Sequence, residues 1–181
     1  GMNAEEIKQD CETKAFFRLA ERIKKRFPRL PILLLADSLY ASKQVMELCR
    51  EYKWEFLIRY KKGSIPSIAE EYEKIPEKGK TEKAEFVNEI DYEGKPVHVL
   101  RYREEKEGEI TEFQWLCSIK ISKENAEKMA EAGRKRWKIE NEGFNRQKNW
   151  QGDITHACSW NDQSQKNHYL MEQISDFMKQ L

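Results

Sequence analysis

The sequence predicts a mixed α/β fold: a parallel β-α-β unit, an antiparallel β-rich segment, and amphipathic helices at either end. Three observations carry that prediction. Residues 30–36 (LPILLLA) and 54–60 (WEFLIRY) are short apolar runs separated by a helical pattern, as in neighbouring parallel strands. Residues 111–121 alternate apolar and polar at period two. Residues 12–27 and 163–181 repeat apolar side chains at spacings of three and four.

Residues 12–27 place Ala15, Phe16, Leu19, Ala20, Ile23 and Phe27 on a helical stripe that Pro28 ends. Asp10, just ahead of it, is positioned to cap that helix or to lie exposed, with a role as a site acid as the alternative. The run 30–36 reads as a strand buried on both faces, which needs neighbours, and only WEFLIRY offers itself as a parallel partner. Between them, residues 42–53 read as a helix through Val45, Met46, Cys49 and Tyr52. At Lys61 the character changes to a basic turn, KKGSIP, followed by a short helical stretch and the polar segment PEKGKTEK. Residues 84–92, 97–104 and 111–121 then predict three strands joined by glycine turns, an antiparallel meander. In the third, Phe113, Trp115, Cys117, Ile119 and Ile121 share one face. A long helical stretch over 123–149 is interrupted by Gly133 and Gly143, and Leu170, Ile174, Phe177 and Leu181 stripe the last helix.

A chain of 181 residues with 39% hydrophobic and 36% charged residues can bury a core beneath a heavily charged surface. The formal charge of +1 identifies neither a nucleic-acid binder nor an acidic protein, so any DNA footprint must be local. Cys11, Cys49, Cys117 and Cys158 form no C-x-x-C pair, and the three histidines are dispersed, which argues against a zinc knuckle or a disulfide framework. The thiols read as reduced, in a cytoplasmic protein. No apolar run reaches the length of a membrane span, so no membrane partner is expected.

Two constellations could carry chemistry. In LLLADSLYAS, Asp37 follows a buried strand, and ligand sites of parallel sheets lie outside such carboxyl ends. The alternative is that Asp37 caps the helix beginning near Ser42 or braces the loop. In GRKRWKIENEGFNRQKN, Gly133, Arg136, Trp137, Glu140 and Phe144 share a helix face. A carboxylate among rings is costly unless it is paired or binds a cation, so Glu140 is either an i,i+4 partner of Arg136 or a ligand. The same stretch gathers Arg134, Lys135, Arg136, Lys138, Arg146 and Lys148 with Trp137 and Trp150 interleaved. It is either a phosphate-holding surface or a solvated face diluted by Glu131, Glu140 and Glu142.

LPILLLADSLYAS, GRKRWKIENEGFNRQKN and the SQKNHYLMEQI stretch, in this order and with a β-rich segment between the first two, resemble DDE insertion-sequence transposases. The branch is the one with a Y-x2-R-x3-E-x6-K signature, and the resemblance runs from about Gln9 to the C-terminus. It matches Asp37 to the second catalytic acid, Glu140 to the third and Arg136 to the signature arginine. Gly133 stands where the signature has tyrosine and Gln147 where it has lysine, with Lys148 next, which puts in doubt the DNA-end contacts of those positions.

The resemblance implies an RNase H-like fold, with residues 1–62 and 122–181 forming part of the catalytic domain and 63–121 a β-rich insertion. It implies DNA cleavage and strand transfer in transposition by two-metal chemistry, with Mg²⁺ or Mn²⁺ held by carboxylates including Asp37 and Glu140. It implies double-stranded DNA, the transposon ends, as partner through Arg134, Lys135, Arg136, Trp137, Lys138, Arg146 and Lys148, and a homo-oligomeric assembly. The family's first acid lies on a strand ahead of the helix that precedes the second. Here that helix begins within the first dozen residues, so the expectation is a C-terminal, truncated part, inactive alone. The alternative is a non-catalytic remnant that binds DNA or self-associates.

Overall fold

The computed structural model describes residues 4–61 and 63–138. The predicted helix at 163–181 and the part of the 123–149 stretch beyond Lys138 lie outside the described residues. The chain divides into two compact units, Gly1–Gly133 and Arg134–Leu181. The fold below is that of the first.

Helix α1 spans Ala4–Arg26, starting upstream of the predicted 12–27 because residues 4–11 (AEEIKQDC) are largely good helix formers. Asp10 therefore sits inside α1, and the reading of it as a cap at the helix start is corrected. Ala20 is buried, and Phe16, Phe17 and Ile23 pack against the larger core cluster. The end of α1 is tied down by Lys24, whose Nζ donates to Pro28 O at 2.9 Å and to Tyr52 O at 2.8 Å.

Strand β1 (Leu33–Ala36) pairs in parallel with β2 (Glu55–Arg59), with Leu35 opposite Leu57 and Ala36 opposite Ile58. Between them α2 (Lys43–Tyr52) buries Val45, Met46 and Cys49. Its start is capped by Ser42, whose Oγ accepts from Val45 N. The predicted β-α-β unit is therefore present. The expectation that 30–36 is buried on both faces is corrected: Leu30 is 50% and Leu33 42% exposed. The reason is topological, since β1 lies at the sheet edge and has only β2 beside it among the described residues.

Residues 63–121 supply α3 (Pro66–Lys74), a short β3 (Gly79–Lys80), and the antiparallel meander β4 (Ala84–Tyr92), β5 (Lys95–Lys106) and β6 (Glu109–Cys117). Strand β6 also bonds to β2, with Ile58 opposite Leu116, so one six-stranded sheet runs β1-β2-β6-β5-β4-β3. Helix α4 covers Ala126–Lys138. The sheet separates two apolar layers. One contains Ala20, Met46, Phe56, Ile58, Tyr72, Val99 and Leu116, and the other Leu57, Phe86, Leu100, Trp115, Cys117, Ala126 and Ala130. Alternation along β2 and β6 distributes their residues between these layers, so both strands are apolar on both faces.

Strand β6 stops before the predicted 121. Ser118 N donates to Phe56 O at 3.1 Å, and beyond it side chains replace the ladder. Asn88 Nδ2 donates to Ile121 O (2.8 Å) and Asn88 Oδ1 accepts from Ile121 N (2.9 Å). Asn88 is in position for this because β4 bulges between Val87 and Ile90, where Glu89 takes φ 62°. The clamp fixes the chain just before α4.

Candidate functional site

Asp37 leaves the carboxyl end of β1 with extended backbone (φ −86°, ψ −179°) and caps a single 3₁₀ turn, Ser38–Tyr40. Its Oδ1 accepts from Leu39 N at 2.9 Å, while Oδ2 makes no hydrogen bond among the described residues. The side chain is half-buried. The local reason is chain reversal: β1 must turn into α2 within six residues, and a short carboxylate satisfies an amide that the turn would otherwise strand. Of the two structural alternatives, bracing the loop is what the side chain does, while Ser42 caps α2. The cap occupies one carboxylate oxygen only.

Residue 59 ends β2 at the same end of the parallel pair. The Arg59 guanidinium lies 4.6 Å from the centre of the Phe113 ring and 5.4 Å from that of Trp115, which are stacked 6.0 Å apart. Trp115 in turn meets α4 at Gly133, where an added Cβ would stand 2.5 Å from the indole Nε1. A continuous line of contacts thus joins the carboxyl end of β2 to α4 at Gly133.

Arg134, Lys135 and Arg136 occupy consecutive positions in α4, Lys135 exposed and the arginines half-buried. Consecutive helical residues are rotated by about 100°, so the three cations fan around the helix instead of lining one face. The backbone of Trp137 and Lys138 completes α4. Glu140, Arg146 and Lys148 lie outside the described residues, as do Phe144 and Trp150. Among the described residues no group of three or more His, Cys, Asp or Glu could hold a metal ion. Asp37 is a hard-oxygen donor of the type Mg²⁺ takes, but in the described part it is one donor and not a site.

His98 is a buried polar group beneath the same α4-covered layer. Its Nδ1 accepts from Glu89 N at 3.1 Å, and burial holds its pKa below the ordinary imidazole value, against the pull of the Glu89 carboxylate. The histidine thus serves the β4 bulge. Cys49 and Cys117 are buried free thiols, both pushed up by burial, the former to about 11, so neither is a thiolate nucleophile at neutral pH. No helix among the described residues is long and apolar enough to cross a membrane. One feature absent from the sequence expectations is a cation-rich outer face on α1, whose signal is the near-lack of acids between Thr13 and Arg29.

A family model described as "Transposase DDE domain" matches residues 9–171, a span that includes Asp37, Glu140 and the cations from Arg134 to Lys148. No curated protein and no solved structure matches the chain.

Proposed function

The chain belongs to the transposase DDE domain family, and on that premise we propose that Asp37 and Glu140 are two of the acids of a site that cuts and joins DNA strands. The reading extends the RNase H-like fold of the family to residues 1–62 and 122–181, with 63–121 as an insertion whose strands lengthen the sheet. The observation that carries it is the position of Asp37, at the carboxyl end of a parallel strand with one carboxylate oxygen uncommitted.

Asp37 would be held in orientation by the amide of Leu39 and offer Oδ2 to a divalent cation. Glu140 would supply a second hard-oxygen donor. The chemistry a bound Mg²⁺ or Mn²⁺ pair supplies is activation of a water or a 3′-hydroxyl and stabilisation of the leaving oxygen. Arg134, Lys135, Arg136, Lys138, Arg146 and Lys148 would hold backbone phosphates of the transposon ends, with Trp137 against the duplex. Self-association by a second copy of this chain through the edge of β1, which among the described residues pairs only with β2, belongs to the same reading, because an uncovered strand edge is a template for pairing.

The test is titration calorimetry of the purified chain with Mn²⁺ and Mg²⁺, and of Asp37→Asn and Glu140→Gln. Millimolar binding that each substitution abolishes is expected. Binding unaltered by both would remove the acid pair, and duplex binding without any metal binding would favour a non-catalytic DNA-binding remnant.

A further inference from the structure

Between Thr13 and Arg29 the sequence holds seven Lys and Arg and one acid, Glu21, a local charge of +6 (7 − 1). The whole chain is +1, so everything else sums to −5 (1 − 6). Charge is segregated onto this segment although the composition is balanced.

The helix sorts these cations by direction. Phe16, Ala20 and Ile23 turn into the core. At about 100° per residue, Lys14, Arg18, Arg22 and Lys25 fall within an arc of roughly 80° on the opposite side. Arg26 flanks that arc and Arg29 follows the helix end, and all six are exposed. Lys24, which the rotation places off this arc, is tied to the carbonyl oxygens of Pro28 and Tyr52. Lys25 pairs with Glu21 at 2.7 Å, but both are largely exposed, and such a pair is readily exchanged for another anion. Among the described residues no ion pair or hydrogen bond occupies Arg18, Arg26 or Arg29.

We propose that this face of α1 is a second duplex-binding surface, contacting phosphates without reading bases and separate from the cluster at Arg134–Lys148. From Lys14 to Arg26 the helix rises about 18 Å, along which duplex DNA presents roughly one phosphate charge per 1.7 Å. Four of the six cations are arginines, whose planar fork matches a phosphate with two parallel hydrogen bonds. A membrane surface fits poorly, because an interfacial helix inserts the apolar face opposite its charges, and here Phe16, Ala20 and Ile23 of that face are packed into the protein's own core, while Leu19 and Phe27 stay exposed. The identity of the phosphate polymer as DNA rests on the transposase reading above.

The test is fluorescence anisotropy of a random-sequence duplex with the full chain, titrated over a range of KCl. The variants are Arg18→Ala/Arg22→Ala, its conservative counterpart Arg18→Lys/Arg22→Lys, and Arg134→Ala/Lys135→Ala/Lys138→Ala. Loss of two phosphate contacts makes the slope of log K against log salt shallower by about 1.8. That change is expected in the α1 alanine double, with the slope retained in the lysine double and an α1 contribution surviving in the triple. Thermal melts of all variants check that the exposed substitutions leave the fold intact. Duplex binding with an unchanged slope in the alanine double overturns the α1 face and leaves the DNA reading standing. No duplex binding by the unaltered chain overturns both, and binding to phosphatidylserine vesicles in preference to duplex overturns the assignment of partner.

Discussion

Gly133 of α4 lies directly on the indole of Trp115: a Cβ at residue 133 would stand 2.5 Å from Nε1 and 2.6 Å from Cε2. Ala126, Ala130 and Gly133 form a row of small residues at spacings of four and three, and this row lets α4 settle onto β6. Trp115 cannot yield easily, being 2% exposed and stacked on Phe113. The glycine at residue 133 is thus matched to the bulk of its neighbour.

Gly133→Ala is expected to lower stability. Helix propensity favours alanine by about 1 kcal/mol, but overpacking a filled contact costs about 1–3 kcal/mol. In a Trp115→Leu background, which has no atoms where Nε1 and Cε2 stood, the same substitution should be neutral or stabilising. Urea unfolding of the four proteins gives the coupling, and additive effects would show that residues 115 and 133 do not compete for space.

Asp37 caps the 3₁₀ turn, and the role proposed for it as a metal ligand can be separated from that cap. Asparagine caps as well as aspartate, so Asp37→Asn should keep the stability of the parent, whereas Asp37→Ala should lose about 1 kcal/mol. Both should lose Mn²⁺ binding. Chemical denaturation beside calorimetry makes the distinction, and a loss of stability in the asparagine variant equal to that in alanine would mean that the charge, not the cap, holds the turn.

His98 couples the β4 bulge to pH. Its Nδ1 must be unprotonated to accept from Glu89 N, and burial lowers its pKa from 6.5, with Glu89 and Glu55 opposing and Lys120 assisting. Between the folded value and 6.5 the unfolded chain binds more protons. The contribution of His98 is therefore complete above pH 6.5 and declines as pH falls toward the folded value. Thermal melts across that window should show a smaller pH slope in His98→Gln than in the parent. Identical slopes would assign the acid sensitivity to other groups.

Self-association through β1 predicts a concentration-dependent dimer in sedimentation. Leu33→Lys, which adds a charge to a 42% exposed edge position, should shift the equilibrium toward monomer. A monomer at all micromolar concentrations would sink the edge-pairing reading.

Much of the fold was legible in the chain because periodicity is a local property. The strand expected at 84–92 has those observed limits, Ala84–Tyr92, and Val45, Met46 and Cys49 mark the buried side of α2. The order of an apolar run, a helix and a second apolar run was enough to predict the parallel pairing of β1 with β2. The membership of the family was legible as well, and the family match spans residues 9–171. Tertiary structure decided what depends on partners distant in sequence. Nothing local says that β6 returns to pair with β2, or that Asn88 ends the run at Ile121 by taking both of its backbone groups. Leu33 is exposed because β1 has only β2 beside it among the described residues, although its own sequence context reads as buried. Gly133 reads as a helix interruption until Trp115, eighteen residues earlier (133 − 115), is found beneath it. On α1 the excess of cations is written in the sequence, but only the burial of Phe16, Ala20 and Ile23 turns those cations outward onto one face.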